Sequence, residues 1–313
     1  MAKQRLLITG GTGLLGLNWA CAMRDHFDIF LVAHQRECWL QGVHVVKTRL
    51  EDGDEFDRLV RDVKPALAVH AAGFSNVDAC EADPAAATRI NATLAGTVAA
   101  VLARNAIPLV HISTDHIFSG GRMNYTEDCP PEPINAYART KLQGEQAVAA
   151  AHPAALIVRT NFFGWGTRQR KSFSDWLIDT LRAGQSLRAF EDVFVTPILI
   201  DRLALAVHAL AGRGAAGIVN VAGDERVSKL DFAVCLAQAF GLPANLVIRS
   251  SVADVSLKAP RPHDMSLSNA RARAMLGASL GTVTQYLQEL RCQEDAGRHA
   301  ELMDVLGDAP PGD

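Results

Sequence analysis

The sequence predicts an α/β fold in which a doubly wound parallel sheet is followed by a smaller C-terminal region. Short apolar runs alternate with helical segments from the N-terminus to about residue 160. The first of these runs ends in a cluster of glycines, and the alternation becomes irregular after Thr160. Buried strands that alternate with helices are typical of a parallel sheet covered by helices on both faces.

Each element follows from the local pattern of apolar residues. The first half of the chain contains six apolar runs that predict strands, at residues 5–10, 28–33, 43–48, 66–73, 107–115 and 154–160. Amphipathic or alanine-rich segments between them predict helices at residues 14–27, 55–64, 84–105 and 133–151. Beyond Thr160, we predict helices at residues 171–184, 198–212, 228–241 and 282–293, and a strand at residues 217–223.

The bulk composition excludes several classes of protein. The chain has 313 residues, of which 49% are hydrophobic, enough for a large buried core. Basic residues number 31 and acidic residues 34, and no basic run stands out, so nucleic-acid binding is not expected.

The cysteines and the N-terminus indicate a cytoplasmic protein. The six cysteines are scattered without a CxxC pair, which predicts isolated thiols in a reducing compartment and no metal site. The N-terminal sequence lacks the features of a signal peptide. No apolar run is expected to be long enough to span a bilayer, so we predict no membrane association.

A glycine-rich loop follows the first predicted strand. The stretch "ITGGTGLLG" places Gly10, Gly13 and Gly16 at three-residue spacing between a strand and a helix. Glycines allow the turn and let a pyrophosphate approach the backbone at the helix N-terminus. The position between strand and helix favours a Rossmann-type dinucleotide site over a purely structural turn.

The residues after the second strand bear on the choice of dinucleotide. An NAD site usually has an acidic residue about 20 positions after the glycines, where it binds the ribose 2′-hydroxyl. Here His34 and Arg36 precede Glu37. Because an arginine can pair with a 2′-phosphate, NADP (NADPH) is favoured. NAD is the alternative if Arg36 is solvated and Glu37 binds the ribose.

The stretch "YARTK" places a phenol and an ammonium on one helical face. Tyr137 and Lys141 are four residues apart, a spacing of about 5–6 Å between Cβ atoms on a helix. Thr114, at the carboxyl end of the fifth predicted strand, is expected beside them, because the carboxyl ends of the strands face the ligand crevice. A nearby lysine would lower the tyrosine pKa, and a shift of about three units corresponds to roughly 4 kcal/mol. Tyr137 could then protonate a carbonyl oxygen that Thr114 also binds. The alternative is a core-edge tyrosine beside a solvated lysine.

These motifs together resemble a known family. The matching stretches are "TGGTGLLG", "HAAG", "RINATLAGT", "STDHIFSG", "YARTK", "LIVRTNFFG" and the "RP" at Arg261. They are similar to the extended short-chain dehydrogenase/reductase family, and within it to the dTDP-4-dehydrorhamnose reductases. The resemblance covers most of the chain. From the order of the predicted elements we expect a dinucleotide-binding Rossmann domain at residues 1–160 and a mainly substrate-binding region at residues 161–292 with segments that return to the main sheet. The composition of the last residues predicts a flexible tail at residues 293–313.

The resemblance also implies roles for individual residues. Thr114, Tyr137 and Lys141 would be catalytic, and Lys141 would also bond the nicotinamide ribose. The cofactor would be bound by Gly10, Gly13, Leu14, Leu15, Gly16, His34, Arg36, Leu50, Ala71, Ala72, Gly73, Ser113, Tyr137, Lys141, Thr160, Asn161 and Phe162. The substrate would contact Ser75, Asn76, Val77, Asp115, His116, Arg168, Lys171, Thr196 and Arg261. Asn91 would lie behind the site, although a surface position is an equal alternative.

The chain departs from the pattern at several positions. His116 stands where these reductases often have tyrosine; it would contact substrate or form a local hydrogen bond. Arg49 replaces an acidic residue common near the adenine. Four cations, each otherwise a solvated surface charge, are candidates for a substrate diphosphate: Arg168, Arg170, Lys171 and Arg261.

The implied function is NADPH-dependent reduction of a keto group on a nucleotide-linked deoxysugar, as in polysaccharide biosynthesis. A dehydratase is disfavoured because His116 follows Asp115 where those enzymes have glutamate. Two alternatives remain open: a nucleotide-sugar epimerase with tightly bound NAD, and a non-catalytic regulatory subunit resembling the beta subunit of methionine adenosyltransferase. A homodimer is expected by analogy with the branch.

Overall fold

The computed structural model describes residues 3–34 and 38–305. The strands are β1 (Gln4–Thr9), β2 (Phe27–Ala33), β3 (Val43–Lys47), β4 (Leu67–His70), β5 (Leu109–Ile112), β6 (Leu156–Arg159), β7 (Phe162–Phe163), β8 (Leu187–Phe190), β9 (Phe194–Val195), β10 (Ile198–Leu199), β11 (Gly217–Asn220), β12 (Val227–Ser228) and β13 (Val247–Ser250). All six strands predicted in the first half are found, at similar positions.

The helices cover both faces of the sheet and build much of the C-terminal region. They are α1 (Leu14–Met23), α2 (Gly53–Val63), α3 (Val77–Ala82), α4 (Pro84–Thr88), α5 (Leu94–Arg104), α6 (Ala136–Ala151), α7 (Phe173–Arg182), α8 (Ile200–Gly212), α9 (Lys229–Ala239), α10 (Ala270–Leu276), α11 (Val283–Asp295) and α12 (Arg298–Asp304). A π-helical turn at Arg89–Thr93 joins α4 to α5, and 3-10 turns occupy Asp115–Ile117, Ala244–Leu246 and Val252–Asp254.

Seven parallel strands form the main sheet, in the order β11-β6-β5-β4-β1-β2-β3. The chain runs from β1 outward to β3, then returns to the other side of β1 and builds β4, β5, β6 and β11. The strand order therefore reverses between β1 and β4, and ligands bind at the carboxyl ends of the strands at such a reversal. The predicted doubly wound α/β fold is confirmed, and β11 is a C-terminal segment that returns to the main sheet.

The two faces of the sheet bury separate hydrophobic clusters, because successive strand side chains point to opposite faces. Leu6 and Ile8 of β1 pack in a cluster with Trp19 of α1. Leu7, between them, packs on the other face with Phe56 of α2. Short two-stranded pairings, β7 with β10, β8 with β13 and β9 with β12, organise the region after β6.

One helical run is more apolar than the sequence analysis allowed. The continuous helix Pro84–Arg104, made of α4, the π turn and α5, is long and apolar enough to cross a bilayer by length and composition. The expectation that no such run exists is therefore wrong. Half of its apolar window is buried within the protein, and Val98 and Leu102 belong to the cluster around Leu7. This helix is part of the core.

The predicted flexible tail is wrong for residues 293–305. Helix α11 continues to Asp295, and α12 follows with Leu302 fully buried and Val305 1% exposed. Both side chains join the cluster around Leu6, and the Arg24 guanidinium pairs with the Glu301 carboxylate at 2.9 Å. Residues 306–313 lie outside the described part of the chain. The other domain boundaries stay predictions.

We expect Leu302→Ala to lower the free energy of unfolding by about 2–5 kcal/mol, because it leaves a cavity among buried side chains. Urea unfolding followed by circular dichroism measures this. Leu205→Ala is the matched control, since Leu205 is a helical leucine with 44% of its surface exposed; its cost should stay near 0.5 kcal/mol. Equal costs for the two variants would contradict the packing of α12.

Candidate active site

The backbone of the glycine loop packs directly against the segment after β4 and against α1. Gly10 has φ +71°, and a Cβ there would lie 2.6 Å from the Ala72 amide nitrogen. A Cβ on Gly16 would lie 2.7 Å from the Gly10 carbonyl oxygen. Gly13 is the N-cap of α1 and no side chain caps this helix, so its first N–H groups are free to bind an anion. The loop therefore fits a dinucleotide pyrophosphate.

A cleft of about 670 Å³ runs along the carboxyl ends of the strands at this loop. Most of the predicted cofactor residues line it, together with two of the predicted substrate residues. These are Gly10, Gly13, Leu14, Leu15, Gly16, His34, Ala71, Ala72, Gly73, Ser75, Ser113, Tyr137, Lys141, Phe162 and Lys171. Arg170 reaches across the cleft, where its guanidinium donates to the Ser75 hydroxyl at 2.8 Å.

Part of the cleft wall is formed by residues that the sequence did not indicate. Thr12, Ile112, Phe163, Gln169, Ser172 and Phe173 also line it, and so does Asn91, which was expected only behind the site. The aromatic run "NFFG" gave a signal for Phe163. The segment around Phe173 carried no motif, because its position depends on how α7 packs.

Other predicted residues have structural partners away from the cleft wall. Leu50 is buried, Asn76 caps α3 by accepting from the Ala79 N–H at 2.9 Å, and Val77 begins that helix. Arg168 is exposed and pairs with Asp304 at 2.8 Å, while Thr196 accepts from the Leu267 N–H at 3.0 Å. Thr160 is buried and does not line the cleft. Arg36 lies outside the described residues. Binding roles for these residues stay predictions.

Helix α6 carries the phenol and the ammonium. The Asn135 side chain caps this helix by accepting from the Ala138 N–H at 2.9 Å, which places Tyr137 in its first turn. Tyr137 is half-buried and lines the cleft. Lys141 follows one turn later, and its ammonium donates to the Ile112 carbonyl at 2.7 Å. The two groups therefore reach the same cleft, as predicted.

Glycine at position 144 lets α6 approach the π turn closely. A Cβ on Gly144 would lie 2.2 Å from the Asn91 carbonyl oxygen. The Asn91 amide donates to the Thr140 hydroxyl at 3.0 Å, and its oxygen accepts from the Phe74 N–H at 2.8 Å. Asn91 thus ties α6 to the loop after β4, on the wall of the cleft.

Burial sets the protonation of both groups on α6. Desolvation raises the pKa of Tyr137 to about 12, and a hydrogen bond with the Thr114 hydroxyl opposes that shift. Desolvation lowers the pKa of Lys141 to about 8, against the attraction of Glu145. The predicted lowering of the Tyr137 pKa by Lys141 is wrong in this structure, where the ammonium is bound to the Ile112 carbonyl. At neutral pH the phenol keeps its proton and the lysine is largely charged.

A buried ion pair that the sequence analysis did not assign supports this helix. Glu145 accepts from the Arg159 guanidinium at 2.7 Å and from the Ser113 hydroxyl at 2.6 Å. The Glu145 and Arg159 side chains are 3% and 2% exposed. The pair joins α6 to the ends of β5 and β6. In the sequence, only the pair Gly144–Glu145, one helical turn after Lys141, pointed to this interaction.

The residues after β5 form a second polar group next to the phenol. The Thr114 hydroxyl lies beside the Tyr137 phenol and donates to the Asp115 carboxylate at 3.1 Å. Asp115 is buried and also accepts from the Asn161 amide at 2.6 Å; desolvation raises its pKa to about 6. The His116 ring packs edge-on against Tyr137 with centroids 5.4 Å apart. Arg261 pairs with Asp78 at 3.0 Å.

The sequence comparisons agree with this geometry. The model of the RmlD substrate binding domain matches residues 4–294. The chain belongs to the RmlD family. Through it, the chain is an NAD(P)-dependent oxidoreductase of the extended short-chain dehydrogenase/reductase type.

Two groups of relatives are similar to this RmlD-family protein over most of its length. "Probable low-salt glycan biosynthesis reductase Agl14" of Haloferax volcanii is 32% identical over 295 residues, which is 90% of this chain and 96% of the relative. "Methionine adenosyltransferase 2 subunit beta" of Rattus norvegicus is 28% identical over 256 residues, which is 78% of this chain and 74% of the relative.

Solved structures share the fold. A hypothetical dTDP-4-dehydrorhamnose reductase from Sulfolobus tokodaii is 32% identical, with a TM-score of 0.77 over 89% of this chain and 97% of that one. The dTDP-4-dehydrorhamnose reductase of Bacillus anthracis, in complex with NADP, has a TM-score of 0.83 over 93% and 99% of the two chains, at 24% identity.

We expect Glu145→Ala to destabilise the protein by about 3–5 kcal/mol, because it leaves the Arg159 guanidinium buried without a counter-ion. Chemical unfolding measures the change. Glu132→Ala removes an exposed carboxylate and should cost no more than about 0.5 kcal/mol. An unaffected Glu145→Ala midpoint would show that the ion pair does not hold α6 in place.

Proposed function

We propose that the protein reduces a keto group on a nucleotide-linked deoxysugar with NADPH. The observation that carries the proposal is the position of the Tyr137 phenol, which lines the cleft at the glycine loop and lies beside the Thr114 hydroxyl. The similarity to a glycan biosynthesis reductase over 90% of the chain supports the same conclusion.

The residues around the phenol would divide the work of protonation. A bound NADPH supplies a hydride to the carbonyl carbon. Tyr137 gives its proton to the carbonyl oxygen, which completes the alcohol. A pKa of about 12 keeps that proton in place until the oxygen becomes basic. Lys141, which stays largely cationic, would donate to the nicotinamide ribose, the other role that the family resemblance implies for it.

Thr114 has a narrower role than donation to the substrate. In this structure its hydroxyl donates to Asp115 and accepts from the His116 N–H at 3.2 Å. Held in this way, the hydroxyl oxygen can accept from the Tyr137 phenol and fix the direction in which the phenol points. Donation to the substrate oxygen would require the bond to Asp115 to break.

The choice of NADPH is proposed on the sequence around Arg36. His34 lines the cleft on the side of the glycine loop, where the adenosine half of a dinucleotide would lie. Arg36 follows it by two residues and would pair with a 2′-phosphate.

A regulatory role is the second candidate, because the methionine adenosyltransferase beta subunits match 78% of the chain. The reductase is favoured because the match to the glycan biosynthesis reductase has higher identity and covers more residues. Co-purification with a catalytic partner, together with cofactor binding that gives no turnover, would favour the regulatory role.

We expect Tyr137→Phe to lose about two to four orders of magnitude in turnover of a keto-sugar nucleotide while it still binds NADPH. Oxidation of NADPH against a panel of nucleotide-linked 4-keto sugars measures turnover, and quenching of intrinsic fluorescence measures binding. Tyr125→Phe is the matched control, since the Tyr125 hydroxyl accepts from the Gly120 and Arg122 N–H groups outside the cleft. Normal turnover by Tyr137→Phe would remove the phenol from the mechanism.

We expect Arg36→Ala to raise KM for NADPH about 10–100-fold and to change KM for NADH little, because only NADPH has the 2′-phosphate. Steady-state kinetics with each cofactor measures the ratio. Arg58→Ala, which removes an exposed cation from α2, controls for the loss of charge. An equal rise for both cofactors would argue against a 2′-phosphate contact.

A further inference from the structure

A half-buried lysine without a hydrogen-bonding partner lies beside the cleft. Lys229 begins α9, and its ammonium lies 5.3 Å from the centroid of the Phe173 ring, which lines the cleft. Among residues 3–34 and 38–305, none accepts a hydrogen bond from this ammonium and no carboxylate lies within salt-bridge distance. The sequence analysis assigned no role to Lys229.

The groups that influence the charge of Lys229 are residues that the sequence predicts to contact substrate. The Asp115 carboxylate attracts its charge and the Arg261 guanidinium repels it. Lys229 and Arg261 are also both close enough to His116 to disfavour protonation of the imidazole, which packs on Tyr137. Lys229 and Arg261 therefore both lie near the His116 imidazole, and this ring separates them from the Tyr137 phenol.

None of these neighbours neutralises Lys229 by direct contact. Asp115 is committed to Asn161 and Thr114, and burial favours its protonated form. Arg261 already has Asp78 as its counter-ion. Partial burial of an unpaired ammonium costs free energy, and burial lowers the pKa of Lys229 accordingly. An anionic ligand would recover that cost.

We propose that Lys229 binds the diphosphate of the nucleotide-linked substrate, with Arg261 as the second cation. A diphosphate has oxygens on two phosphorus atoms and can meet two cations at once. The phosphates of the cofactor have the same chemistry, and the affinity of each variant for NADP⁺ distinguishes them from the diphosphate of the substrate. The inference rests on the proposed class of substrate but does not require turnover.

The test is ligand binding with NADP⁺ present at saturation. Isothermal titration calorimetry would measure the affinities of dTDP, UDP and the neutral nucleosides thymidine and uridine for the wild type, Lys229→Met and Lys229→Arg. Lys64→Met is the charge control. Lys64 is exposed and lies just before the amino end of β4, whereas the cleft lies at the carboxyl ends of the strands. The affinity of each variant for NADP⁺ is measured as well.

We expect Lys229→Met to weaken binding of the preferred nucleoside diphosphate by about tenfold or more, the scale of one charge-assisted hydrogen bond. Lys229→Arg should remain within about threefold of the wild type, because it keeps the charge. Nucleoside binding, NADP⁺ binding and the Lys64→Met variant should be unchanged.

Three results would overturn the inference: no diphosphate binding by the wild type, an unchanged diphosphate affinity in Lys229→Met, or an equal loss for the neutral nucleosides. If Lys229→Met weakened the binding only of nucleotide sugars that carry a carboxylate on the sugar, Lys229 would not be a ligand of the diphosphate. Lys229-dependent diphosphate binding without turnover of any keto-sugar would refute the proposed reductase and leave this inference standing. If the protein turned over a keto-sugar nucleotide but bound the diphosphate independently of Lys229, the proposed reductase would stand and this inference would be refuted.

Discussion

The close approach of α6 to the π turn is the contact on which the site depends. Gly144 has no side chain to separate the helix from the Asn91 carbonyl, and Asn91 binds both Thr140 and the loop after β4. Because α6 packs so closely, Tyr137, Lys141 and Glu145, which are spaced four residues apart on one face of the helix, all lie near the ends of β5 and β6. A larger residue at position 144 would move the whole face away from the cleft.

Three side chains on that face form a sequence of decreasing exposure. Tyr137 is at the cleft, Lys141 is bonded to the last residue of β5, and Glu145 is buried against Arg159. The carboxylate and guanidinium neutralise each other, yet Glu145 still favours the charged form of Lys141. The deep ion pair thereby keeps a cation beneath the phenol although burial disfavours one.

Much of the fold and half of the site could be predicted from the sequence, because both follow from local patterns. Alternating apolar runs predicted the six strands, and the glycine spacing and the four-residue spacing of Tyr137 and Lys141 predicted the cleft and its phenol. The contribution of Lys229 and Phe173 could not be predicted, because α7 and α9 meet only through tertiary packing. The predicted direction of the Tyr137 pKa shift was wrong for a similar reason, because desolvation of the phenol depends on the surrounding fold. The polar composition of α12 concealed the burial of Leu302.

The packing of α12 has a consequence for the order in which the chain can acquire its structure. Leu302 and Val305 complete the same cluster as Leu6 of β1 and Trp19 of α1. The backbone of Val305 also accepts from the Trp39 N–H at 2.8 Å. The side chains of β1 and α1 are therefore fully shielded from water only after α12, far later in the chain, has been synthesised. Until then, the nascent β1 and α1 expose an apolar surface that a chaperone could recognise.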